Sequence, residues 1–224
     1  MKDYISEDEI GCFKELNILK IKYKERLSLP IPDSLPIDFE KIEVDKGLLN
    51  EMFNEIVLCI EKYSKKAMEK RVVGMRELIE NAKNGDFISI NVLKPIFEKI
   101  GENFKDKIPS NWNKPYCPIC GCFPLMAYLR RDDGKKVFEC MLCKTQWEFL
   151  RIKCPYCGSE EKLRFFEIDE EGFRVDVCDK CMSYIKTIDK RKMDIQDIEL
   201  EDIKTRYLDI LAIKEGYKQL QNVE

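Results

Sequence analysis

The chain has 224 residues, of which 44% are hydrophobic and 36% charged; this excludes wholesale disorder and leaves room for one large domain or two to three small ones. With 39 Lys and Arg against 42 Asp and Glu, the formal net charge is −3, so the basic excess of a non-specific nucleic-acid or anionic-membrane binder is absent. There is no His, which removes His-based triads, His acid–base chemistry and every His-containing metal site.

The first residues are acidic and lack the basic-then-apolar order of a secretory leader. Ser6 predicts an N-cap for a helix over Glu7 to Leu27. The prolines between Leu29 and Pro36 each disfavour helix in the preceding residue, so an extended segment that wraps the helices is expected there. From Asp45 to Asn84, apolar residues recur in steps of three and four, from Leu48 through Ala67, Met68 and Val72 to Ile79. That spacing predicts one helix or two in tandem, stopped at Asn84-Gly85. A further helix is expected from Pro95 to Phe104, with the proline in its first turn. Ile108 to Tyr116 reads as a linker, with two prolines and several turn-forming residues.

Beyond the linker the composition changes. Cys12 and Cys59 stand alone among apolar helical positions and read as core. The other nine of the 11 Cys lie between Cys117 and Cys181, and eight of them form a repeat. Cys117-Pro-Ile-Cys120-Gly121 is echoed by Cys154-Pro-Tyr-Cys157-Gly158, and Cys140-Met-Leu-Cys143 by Cys178-Asp-Lys-Cys181. Hairpin patterns fill each interval: Met126–Leu129 with Val137–Glu139, and Leu163–Ile168 with Phe173–Val177. A short strand follows each second pair, at Thr145–Phe149 and Tyr184–Ile188. The Arg130-Arg131 and Lys135-Lys136 pairs read as solvated turn residues. Trp147, Phe149, Phe165, Phe166 and Tyr184 read as the thin core between ribbons rather than a base-stacking surface. Asp197 to Gln219 predicts a closing helix.

Each Cys-x-x-Cys can place two sulfurs on one ion, and a following glycine allows the positive φ that turns backbone N–H groups toward the thiolates. Two such knuckles on a hairpin suit a tetrahedral four-thiolate site of zinc-ribbon or rubredoxin-like type. The candidate ligands are Cys117, Cys120, Cys140 and Cys143 for one site, and Cys154, Cys157, Cys178 and Cys181 for the other. A crossed grouping, first knuckle with third and second with fourth, is also compatible with the spacing; local grouping is preferred because each unit contains its own hairpin. The expectation is two mononuclear ions per chain, iron or zinc, which staple ribbons too small to build much core. Four thiolates on a divalent ion carry −2, so two sites lower the formal charge to about −7. Cys122 is a ninth thiol where the second unit has Ser159. Without His, no nucleophile–base pair is available, and no phosphate-cradling Gly-rich loop is present.

The ordered set Cys117-Pro-Ile-Cys120-Gly, Cys140-Met-Leu-Cys143-Lys-Thr-Gln-Trp147, Arg151-Ile-Lys-Cys154-Pro-Tyr-Cys157, Cys178-Asp-Lys-Cys181-Met-Ser-Tyr184-Ile-Lys and Lys214-Glu-Gly216-Tyr217 resembles the FdhE-type formate dehydrogenase accessory proteins, from about residue 110 to 218. The resemblance implies a cytoplasmic, non-catalytic assembly factor for a molybdenum- or tungsten-dependent formate dehydrogenase. It implies binding of the catalytic subunit and iron held by the Cys motifs, and it passes no role to Cys122. The expected architecture is α+β: a helical domain over 1–108, two tandem rubredoxin-like or zinc-ribbon tetrathiolate modules over 109–150 and 151–190, and a C-terminal helix and tail over 191–224. No nucleic-acid partner and no membrane insertion are expected. A zinc-ribbon protein of transcription or translation would present a basic face, yet residues 111–224 hold 20 Lys and Arg against 21 Asp and Glu. A rubredoxin-like electron carrier would not need the helical half.

Overall fold

The computed structural model describes residues 5–29, 35–167 and 172–219. It divides into two compact units, 1–107 and 108–224.

The first unit is helical. Helix α1 (Glu7–Arg26) begins in a capping box, Ser6 accepting from the Glu9 backbone while Glu9 accepts from the Ser6 N–H. Helix α2 (Lys46–Ser64) is capped by Asp45 and ends at Lys65 in the left-handed region. Helix α3 (Met75–Lys83) stops before Gly85, and α4 (Phe87–Phe104) starts on the Asp86 cap. Residues 30–34 of the proline-rich segment, expected to be extended, lie outside the described residues. Helix α4 packs on the other three; its Val92, Ile96, Phe97 and Ile100 are essentially inaccessible, as are Met52, Ile56 and Val57 of α2. Ion pairs Lys22–Glu55, Arg26–Glu51 and Lys62–Glu15 tie α1 to α2 along the exposed edge.

Two expectations change here. Ala67, Met68 and Val72 lie in the non-helical connection between α2 and α3, and Val72 is 84% exposed. Val73 is buried instead, its N–H donated to Asn50 Oδ1. Pro95 sits in the middle of α4, not in its first turn. An interior proline costs about 3 kcal/mol, but the unbroken buried stripe from Val92 to Phe104 keeps the helix continuous.

The second unit is one six-stranded sheet in the order β3-β2-β1-β6-β5-β4. The strands are β1 (Pro124–Leu129), β2 (Lys136–Cys140), β3 (Gln146–Phe149), β4 (Leu163–Glu167), β5 (Phe173–Cys178) and β6 (Ser183–Asp189). Each Cys repeat supplies an antiparallel three-stranded meander, and the two meanders join through the parallel pairing of β1 with β6, Ala127 opposite Thr187. The ribbons are therefore halves of one hydrogen-bonded layer. The β4–β5 turn, residues 168–171, lies outside the described residues.

The closing segment forms two helices, α5 (Ile198–Lys204) and α6 (Arg206–Lys214), broken at Thr205, whose hydroxyl donates to the Glu201 carbonyl. The break shifts the helical phase, so Leu208 and Ala212 face inward while Ile210 and Leu211 are exposed. Leu208, Ala212 and Tyr217 pack with Val175, Val177 and Tyr184. Ile198 packs with Met126, Tyr128, Val137 and Ile188. Buried Lys186 fixes this docking: its Nζ lies 2.7 Å from Asp202 Oδ1 and 2.7 Å from Asp209 Oδ2.

Candidate metal centres

The structure gathers the sulfurs of Cys117, Cys120, Cys140 and Cys143 into one cluster and those of Cys154, Cys157, Cys178 and Cys181 into another, within each of which all sulfurs lie inside 4.8 Å of one another. Grouping is local: each cluster draws on one repeat. All are free thiols rather than disulfides. In the first cluster the Sγ atoms of Cys117 and Cys143 are 3.4 Å apart, those of Cys120 and Cys140 3.3 Å, and those of Cys120 and Cys143 3.6 Å. In the second, Cys154–Cys181 and Cys157–Cys178 are each 3.7 Å apart. A disulfide needs about 2.05 Å, whereas four sulfurs about 2.3 Å from a central ion are about 3.8 Å from one another.

The knuckle backbone explains the geometry. Gly121 and Gly158 donate N–H bonds to the carbonyls of Cys117 and Cys154 at 2.9 and 3.0 Å. Both adopt positive φ, 72° and 69°. The equivalent positions after Cys143 and Cys181 adopt the same conformation with side chains present, Lys144 and Met182 at φ 54°. All four knuckles thus share one turn, and only the first of each pair uses glycine for it. Backbone N–H groups of Ile119, Leu142 and Tyr156 each approach the sulfur two residues earlier at 3.4 Å. Two hydroxyls stand at matching places: Thr145 Oγ1 is 3.0 Å from Cys143 Sγ, and Ser183 Oγ is 2.9 Å from Cys181 Sγ.

The donor set fits a soft or borderline cation. Burial drives the Cys120 and Cys140 thiols well above their ordinary range, and pushes Cys181 up to about 12. Against its burial, hydrogen bonds from Cys120, Cys140 and Cys143 hold the Cys117 thiol well below that range; the raised thiols ionise readily only with a cation at their centre. The donors are compatible with either zinc or iron. The two centres differ in access: all four Cys of the first are buried, but Cys157 of the second is exposed and Cys181 half-buried. Cys122 is half-buried beside Cys120 and Cys140, outside the four-sulfur set.

Residues 152–223 match the family described as FdhE, C-terminal domain. An FdhE homolog of Aquifex aeolicus is 33% identical over 155 residues, 64% of this chain and 53% of that protein. Protein FdhE of Escherichia coli is 31% identical over 108 residues, 46% of this chain and 35% of its own length. The C-terminal part of this chain is of the FdhE type. The chain spans about half or less of the length of these curated relatives. The crystal structure of the FdhE protein from Pseudomonas aeruginosa shares the fold, with a TM-score of 0.62 over 92% of this chain and 78% of that one, at 16% identity.

Three of the residues that carry the FdhE resemblance, Trp147, Tyr184 and Tyr217, brace the two centres. Trp147 donates from Nε1 to the Lys114 carbonyl at 3.1 Å, holding β3, the strand after the second knuckle, against the segment that enters the first knuckle. Its ring meets Phe138, which stacks on Phe149. Tyr184 donates to Asp209 at 3.0 Å, and Tyr217 to Asp179 inside the fourth knuckle at 2.6 Å. Two side chains depart from the sequence reading. Phe165 is 56% exposed. Lys136 is buried, not solvated, and pairs with Asp176 at 2.6 Å; no local pattern reveals this, because its partner lies in the other repeat.

Proposed function

We propose that the chain is a non-catalytic accessory factor needed for the activity of a molybdenum- or tungsten-dependent formate dehydrogenase, acting in the cytoplasm by binding the catalytic subunit. The observation that carries this reading is that the FdhE C-terminal match over 152–223 contains the second four-cysteine cluster, with a first cluster of the same build preceding it. Each cluster would hold one ion, iron or zinc, through Cys117, Cys120, Cys140 and Cys143 or through Cys154, Cys157, Cys178 and Cys181. A bound ion would supply rigidity to the knuckles, and one-electron chemistry if it is iron. The chain's own residues orient the sulfurs, through knuckle N–H groups and the Thr145 and Ser183 hydroxyls, and shield the first centre from water. No helix among the described residues is long and apolar enough to cross a membrane.

The test is genetic and biochemical together. Deletion is expected to abolish formate oxidation while the catalytic subunit is still made, and the tagged chain is expected to retrieve that subunit from extract. Cys117→Ser with Cys120→Ser should lose the helper function while the helical unit stays folded. Normal formate oxidation in the deletion strain would sink this reading.

A further inference from the structure

A pocket of about 430 Å³ opens beside the second centre. Its walls come from the segment 151–156, from β4, from β5 and from the start of β6, with Lys136 reaching in from β2. Among the described residues, five cations line it, Lys136, Arg151, Lys153, Arg164 and Arg174, against one carboxylate, Asp176.

The charge does not balance. Asp176 meets Lys136 Nζ at 2.6 Å and Arg174 Nε at 2.9 Å, and the Lys136 and Arg174 side chains are only 3% and 7% exposed. Among the described residues, two buried cations therefore share one carboxylate. The Arg174 Nε–H lies out of line with Asp176 and has no hydrogen-bond acceptor among the described residues. Arg164 is taken by Asp179, whereas no carboxylate among the described residues pairs with Arg151 or Lys153. A buried excess of one positive charge is costly unless an anion completes it.

Apart from Ser183 and the thiols of Cys154 and Cys178, the rest of the pocket is largely apolar. Leu163, Phe165, Tyr156 and Ile152 line it, and Phe165 and Ile152 are 56% and 70% exposed. The Arg174 guanidinium lies 4.7 Å from the centre of the Phe165 ring. Strand β4 is the end of the sheet, so its outer backbone edge has no strand partner among the described residues. An exposed edge beside a pocket is the arrangement by which proteins take up an extended peptide, the edge supplying main-chain bonds and the pocket a side-chain site.

We propose that this pocket receives an extended segment of a partner protein that presents a carboxylate beside a hydrophobic side chain. The segment lies along β4. Its carboxylate meets Lys136 and Arg174, and its apolar side chain covers Phe165. The buried excess is one charge, which a single carboxylate matches. The inference does not rest on the identity of the partner.

The probe is a fluorescein-labelled peptide amide, Leu-Glu-Phe-Asp-Leu, titrated against the full metal-loaded chain by anisotropy. Saturable binding is expected, with the Gln/Asn counterpart about tenfold or more weaker. Arg151→Glu with Lys153→Glu, both changes on the rim, should weaken the acidic peptide about tenfold, with melting temperature and metal content unchanged. Phe165→Ala should weaken it without altering the preference over the amide counterpart. The proposal is overturned if the two peptides bind alike, if neither binds, or if the folded charge-reversal variant keeps full affinity. It is equally overturned if free phenylacetate binds as tightly as the peptide, which would make this a small-molecule site.

Discussion

The Tyr217 hydroxyl donates a 2.6 Å hydrogen bond to Asp179 Oδ1, linking the end of α6 to the knuckle that carries Cys178 and Cys181. Arg164 completes the contact, donating to Tyr217 Oη at 2.6 Å and to both oxygens of Asp179. The backbone adds a second tie, Lys218 N–H to the Met182 carbonyl at 2.7 Å. A residue far along the chain thus clamps the more accessible of the two centres. Tyr217→Phe should cost about 1 kcal/mol, the usual net value of one hydrogen bond. It should also speed metal release to a chromogenic chelator from the second centre while leaving the first unchanged. Equal acceleration at both centres would contradict the clamp.

Local grouping of the sulfurs makes Cys140→Ala a clean probe. It is expected to halve the metal content measured by elemental analysis, because only the first cluster uses Cys140. The β1–β6 pairing should survive, since β1 and β6 meet at Ala127 to Leu129, away from the knuckles. Loss of both ions would mean that the shared sheet couples the two centres.

The clusters were legible in the sequence because knuckle spacing is a local constraint repeated twice. The strands were legible too, to within one or two residues. What the sequence did not show depends on contacts between distant segments. The parallel join of β1 to β6 unites the repeats, yet nothing in either repeat encodes a partner strand. Lys136 resembles its neighbour Lys135 at a hairpin end, and only the register of the joined sheet brings it to Asp176. Pro95 marked a helix start by local rule, and the burial of Val92 to Phe104 overrode that rule. The break at Thr205 is a single side-chain bond to Glu201, below the resolution of a periodicity argument.

The hydroxyls beside the sulfurs give a paired experiment. Thr145→Ala and Ser183→Ala each remove a group about one hydrogen bond from a ligand sulfur, Cys143 and Cys181 respectively. Such outer partners typically change metal affinity about 10- to 100-fold. Competition against a chelator of known affinity should show each variant weakening its own centre only.

Cys59 offers a test in the helical unit. Burial, reinforced by neighbouring Cys12, raises its pKa from 9.0 to about 12. The folded chain therefore keeps the proton through a range where the unfolded chain has lost it. Stability from this group is complete below about pH 9 and is lost as pH rises toward 12. Urea midpoints of the wild type should fall more steeply between pH 9 and pH 11 than those of Cys59→Ala. In the native state at neutral pH, Cys59 should resist alkylation.

Lys186 is the charge whose removal should matter most. It is 1% exposed and serves Asp202 and Asp209 together, with a further bond to the Asp202 carbonyl at 2.8 Å. Burial already raises the Asp209 pKa, against the pull of Lys186. Lys186→Met would leave two carboxylates facing an apolar side chain, and breaking one side of a buried pair costs about 3–5 kcal/mol. The penalty has a sign in pH. At low pH Asp209, left without its cation, takes up a proton and is tolerated; as pH rises through its elevated folded pKa, the charge must be carried with only the Tyr184 hydroxyl to meet it. The destabilisation relative to wild type should therefore be larger at pH 8 than at pH 5.5 in urea titrations. Asp209→Asn combined with Lys186→Met should recover part of the loss at pH 8. A pH-independent penalty, or no recovery in the double variant, would show that Lys186 contributes packing rather than charge compensation.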